Sequence, residues 1–99
     1  MPSVRLPLLS AVIFQLGVAR CELPAEEAEQ VQLRLRQYDD PGGHASDLAD
    51  RIKRAVPRGH AVYPTRGELP FLLRAVQEAG DSLSDEGADL LESLLEEIG

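Results

Sequence analysis

The intrinsically reactive side chains are few: one cysteine, Cys21, and two histidines, His44 and His60. A thiol–imidazole pair would give an activated nucleophile, but no local motif ties Cys21 to either histidine. Asp39, Asp40 and His44 surround a Pro41-Gly42-Gly43 turn. Such oxygen and nitrogen donors can hold a metal, yet their spacing matches no ligand pattern, and the segment reads better as a turn. No glycine-rich phosphate loop follows a strand-like segment. The sequence therefore predicts no catalytic residue, no metal and no cofactor, in a chain that is not an enzyme.

Charge is the more informative signal. The formal net charge is −7, which argues against a surface that binds polyanions everywhere. Its distribution is uneven. Arg51, Lys53, Arg54, Arg58 and Arg66, with His60, fall in a stretch with no acidic residue. From Asp81 onward come Asp85, Glu86, Asp89, Glu92, Glu96 and Glu97, with no basic residue. The basic stretch fits contact with phosphates or with an acidic partner, as a recognition helix followed by a clamp-like loop. The preferred reading is a solvated helix end whose cations complement the dipole, because the overall charge opposes affinity for nucleic acid. The acidic stretch carries Glu92, Glu96 and Glu97 near a helix C-terminus, where the dipole disfavours them. With Leu90 and Leu94 beside Leu91 and Leu95, that helix offers an apolar strip rimmed by carboxylates, suited to partner or homodimer contact.

The elements that would position these residues read as helices. Only four aromatics occur, so aliphatic side chains must fill the interior, which favours helices over a sandwich of sheets. Helices are predicted over residues 7–19, 24–38, 45–56, 66–79 and 85–98. Pro7 and Pro24 suit first turns. Ala45, Leu48, Ala49, Ile52, Ala55 and Val56 form one apolar stripe that Pro57 ends. Thr65-Arg66-Gly67-Glu68 matches the capping box, although Pro70 would break a hydrogen bond in a helix begun at Arg66. Ser84 caps the last helix, with Leu83 placed to staple on Ala88, while Leu91, Leu95 and Ile98 continue the buried face and Leu90 and Leu94 widen it. Residues 61–63 are a candidate short extended piece, and Gln30 to Arg36 alternates as a strand would. Arg20-Cys21-Glu22-Leu23-Pro24 and Arg66-Gly67-Glu68-Leu69-Pro70 differ at a single position; their flanks do not match, so a duplication is not inferred.

The first twenty residues carry two readings. A basic start, an apolar middle and small residues before Arg20-Cys21 have the shape of a cleaved secretory signal spanning residues 1–19. The preferred reading is an internal helix that is apolar nearly all round, because Gln15 interrupts the run and the core needs its leucines. The stretch is too short for a membrane span.

These readings combine into one expectation: a single all-α domain over residues 1–99, a compact bundle of about five helices with short connections. The first, fourth and fifth helices should supply most of the core. The expected function is a cytoplasmic, non-enzymatic interaction domain (adaptor, regulator or accessory subunit). It would bind another protein, or itself as a homodimer, through Leu90, Leu94, Glu92, Glu96 and Glu97. The alternative is a small nucleic-acid-binding regulator using Arg51, Lys53, Arg54, Arg58 and Arg66.

Overall fold

Val12-Ile13-Phe14 is a β-branched and aromatic run, and Ala19-Arg20-Cys21-Glu22-Leu23 alternates strictly between small or apolar and charged residues. Gly17-Val18 separates them. This is hairpin chemistry, and the computed structural model, which describes residues 11–80 and 83–98, shows a hairpin there. The expected first helix is thereby corrected over residues 11–19; its start at Pro7 lies outside the described residues. The fold is α+β, not an all-α bundle of five helices. Strands β1 (Ala11–Leu16), β2 (Ala19–Pro24) and β3 (Ala61–Val62) form a mixed sheet with helices α1 (Ala25–Gln37), α2 (His44–Ala55), α3 (Leu69–Glu78) and α4 (Asp85–Ile98).

The strand order is β2-β1-β3, antiparallel between β1 and β2 and parallel between β1 and β3. Register places Val12 opposite Leu23 and Phe14 opposite Cys21. Those four side chains and Leu16 share the buried face, whereas Arg20 and Glu22 point to solvent. A register slip of one residue would expose all five, so the pairing is set by burial. Gly17 opens the two-residue turn at φ +58°, and Val18 is wholly exposed.

This geometry reverses the sign of a common substitution. In a helix, Gly17→Ala would stabilise by about 1 kcal/mol. In this turn the left-handed backbone makes it cost about 1–2 kcal/mol, and the new methyl would also meet the Glu97 carboxylate. Thermal denaturation of Gly17→Ala is expected to show a lower midpoint, and a rise would contradict the hairpin.

The other four helices form close to their predicted limits, and the short extended piece forms as β3. Gln30 to Arg36 stays helical within α1, which buries Ala28, Val31, Gln32 and Leu35 at helical spacing. The related pentapeptides diverge: residues 20–24 are strand, and residues 66–70 are a turn leading into α3. The capping box survives in part. Glu68 accepts the Thr65 N–H at 2.8 Å, while the regular helix begins at Leu69 with Pro70 in its first turn. Ser84 Oγ accepts the Gly87 N–H at 3.3 Å, and Glu27 on α1 accepts both the Ser84 N–H and its hydroxyl. Leu83 packs on the core beside Gly87, while Ala88 is exposed.

Two expectations about packing are also corrected. Sheet residues and α2 are principal contributors to the core, α2 with Ala45, Leu48, Ala49, Ile52 and Ala55. On α4 the buried residues are Gly87, Leu90 and Leu94, whereas Leu95 and Ile98 are 49% and 41% exposed. One residue is about 100° of helix rotation, and α4 is turned by that amount from the expected face while packing against β2.

Candidate functional site

Arg51, Arg54 and Arg58 recur at spacings of three and four, which aligns them on one flank of α2 and its continuation. A 3-10 turn over Val56–Arg58 prolongs α2, and Gly59 at φ +64° swings the chain back toward the sheet. His60 donates its N–H to the Ala55 carbonyl at 3.1 Å and accepts the Ile13 N–H at 3.3 Å, which delivers β3 alongside β1. The result is an open cleft of about 240 Å³ between α2 and β3, lined by Arg51, Arg54, Arg58, His60 and Tyr63 over a floor of Ala55 and Val62. Arg54 and Arg58 also border the adjoining depression with Lys53 and Pro57.

The three arginines do different work. Arg51 is tied into the fold: it pairs with Glu68 and, at 3.4 Å, with Asp47, and it donates to the Tyr63 carbonyl at 3.2 Å. Glu68 is 2% exposed and holds the loop at Thr65 as well. Arg54 and Arg58 are exposed and, among the described residues, enter no ion pair. Of the five expected basic contacts, the cleft gathers three. Lys53 borders the neighbouring groove toward Gln32, and Arg66 sits in the exposed turn before α3. Tyr63, 63% exposed, lines the cleft without having been singled out in the sequence. Its only sequence signal was a polar-tipped aromatic beside a basic run.

The acidic surface lies elsewhere. Leu90 and Leu94 are fully buried, so they are unavailable to a partner, and the leucine strip is corrected to the exposed flank of Leu95 and Ile98. Glu92, Glu96 and Glu97 remain exposed. Helix α4 packs against β2, whereas the cleft flanks β3 on the other side of β1. Among the described residues, no carboxylate of α4 forms an ion pair with a cation of the 51–66 stretch. The cationic cleft and the acidic face of α4 are therefore separate surfaces.

The remaining candidates resolve into structural roles. Cys21 is buried, 3.3 Å from Ser93 Oγ on α4, while His60 lines the cleft at the opposite edge of the sheet. Asp40 accepts the N–H groups of Gly42 at 3.2 Å and Ala45 at 2.7 Å, holding the turn into α2. Among the described residues, no three metal-capable side chains come together, and no helix is long and apolar enough to cross a membrane. Tyr38 donates to Glu78 at 2.8 Å beneath the Arg74 guanidinium, clamping the end of α1 to α3. Burial, then the bond to Glu78, pushes its phenol from 10.0 to about 12. A raised folded value means that the neutral phenol supports the fold below pH 10.0, and that this support fades as pH rises through about 12. Ultraviolet titration in a Tyr63→Phe background should show that late ionisation. Ionisation at the ordinary value would mean an open clamp.

With this geometry in hand, comparison with known proteins returns no match to a family model, a curated protein or a solved structure.

Proposed function

We propose that this chain is a non-enzymatic interaction module that engages an acidic segment of a partner protein through the Arg51–Arg54–Arg58–Tyr63 cleft. One observation carries the reading: in a chain of net charge −7, Arg54 and Arg58 converge on one concavity without an ion-pair partner among the described residues and away from the acidic helix. Uncompensated like charges repel each other, so an occupant bearing carboxylates relieves that cost and gains charge-assisted hydrogen bonds. Arg51 contributes by holding the wall in place. A cytoplasmic setting suits the free thiol of Cys21.

The acidic face of α4, with Glu92, Glu96, Glu97, Leu95 and Ile98, is a secondary contact surface in this proposal. It is suited to a cationic partner or to a second copy, and sedimentation at two salt concentrations tests the latter: a monomer under both removes the dimer. For the cleft, titration with a glutamate-rich peptide is the test. Changing Arg54 and Arg58 together to alanine should weaken binding by about tenfold or more, each tenfold being about 1.4 kcal/mol. Peptide binding that ignores both substitutions overturns the reading. Mixed DNA and RNA at low salt form the second arm, and tight arginine-dependent binding of nucleic acid alone would transfer the cleft to a phosphate partner.

A further inference from the structure

The cleft is more than a set of charges, because one of its walls is a strand with an open side. In the parallel register Ile13↔Ala61 and Phe14↔Val62, the Ile13 N–H is given to the His60 carbonyl. Backbone groups of successive strand residues point to opposite sides, so the His60 carbonyl and the groups of Val62 face β1, and the N–H and C=O of Ala61 face away from it. No further strand pairs with that side among the described residues. It is the side on which Arg51 reaches the Tyr63 carbonyl, which makes it the side of the cleft.

Two contacts give the direction of the cationic wall. Ala55 meets His60 and Arg51 meets Tyr63, so α2 runs antiparallel to β3 along the open edge. Arg54 and Arg58 are four residues apart, about 6–8 Å along an axis that rises 1.5 Å per residue in α2 and about 2.0 Å in the 3-10 turn that carries Arg58. Alternate residues of an extended chain are about 6.6 Å apart. An added strand would therefore present every second side chain toward α2, at nearly the separation of the two guanidinium stems.

Resting on the cleft's reading as a site for an acidic partner, we infer that the partner enters as an extended strand added to the open edge of β3. Its main chain bonds to the N–H and C=O of Ala61. Two carboxylates in an acid–x–acid arrangement reach Arg54 and Arg58, and the intervening residue lies on the outer face beside Tyr63. Main-chain pairing supplies affinity and the alternate acidic side chains supply selectivity, as in other strand additions. Tyr63 is exposed because Val62, its neighbour, takes the buried face.

The experiment uses the full chain and a blocked peptide of about eight residues alternating Glu and Thr, long enough to span the edge. A second peptide has the same sequence with N-methyl groups at the edge-facing residues, and a third has the same composition with its glutamates contiguous. Amide exchange at Ala61 is followed throughout, and circular dichroism confirms that the Arg54→Ala/Arg58→Ala variant is folded. The expected result is at least about tenfold slower exchange at Ala61 on binding the alternating peptide, with about tenfold weaker binding of each control peptide. Binding that tolerates N-methylation and leaves Ala61 exchange unchanged would overturn the strand addition while preserving the acidic-partner cleft. Binding indifferent to Arg54 and Arg58 overturns both, as does arginine-dependent binding of an oligonucleotide with none of the peptides.

Discussion

Leu94→Ala is expected to destabilise the protein by about 2–5 kcal/mol, while Leu95→Ala, one position along, should cost less than about 1 kcal/mol. Leu94 has no exposed surface, and its removal leaves a cavity in the interior that the helices and the sheet fill together. Leu95 is 49% exposed and gives up little on truncation. For a domain of this size each kcal/mol moves the midpoint by roughly 4–8 °C, so the two variants should be well separated in a thermal scan. Equal losses, or the larger loss at Leu95, would mean that α4 faces the sheet differently. The same pair bears on function, because Leu95 with Ile98 is the apolar part of the acidic face that remains open to a partner.

The second large effect belongs to Glu68. Its carboxylate is buried, pairs with Arg51 and accepts the Thr65 N–H. Glu68→Ala leaves a cation at 28% side-chain exposure without its main counter-ion, and a backbone donor without its acceptor. The expected cost is about 3 kcal/mol, read as a lower urea midpoint with an unchanged slope. Glu68→Gln keeps an acceptor for Thr65 and should lose less. A loss below about 1 kcal/mol for alanine would show that solvent already screens the pair. The effect should extend to the cleft. Arg51 donates to the Tyr63 carbonyl, so a loosened Arg51 weakens the wall beside β3, and peptide binding should fall even where the variant remains folded.

Sequence and structure agree where a signal is local. Asp39 to Gly43 breaks the chain, Pro57 ends the α2 stripe, Ser84 caps α4, and each of these follows from the chemistry of a few adjacent residues. They part at residues 11–19. A short apolar run fits a buried helix and a buried strand alike, and periodicity does not separate them. The distinguishing marks were present: the β-branched run Val12-Ile13, a glycine in the turn position, and the alternation from Ala19 to Leu23. They weigh little until a partner strand is supplied, because a hairpin alone is marginal. Here β3, arriving from the far end of α2, makes β1 the central strand. The last element is tied to the first two, since α4 packs on β2 and buries Leu90 and Leu94.

The candidate site divides in the same way. By itself the sequence determined the one-sided charge, the basic stretch from Arg51 to Arg66 free of acidic residues, and the alignment of Arg51, Arg54 and Arg58, because composition and helical spacing are properties of the chain alone. Only the tertiary structure decided that Glu68 claims Arg51 while Arg54 and Arg58 enter no ion pair among the described residues, that Tyr63 joins them, and that a strand edge unpaired among those residues runs beside them. Those outcomes depend on which surfaces meet when distant segments pack, and on which charges find a counter-ion there. The spacing of residues along the chain does not encode that.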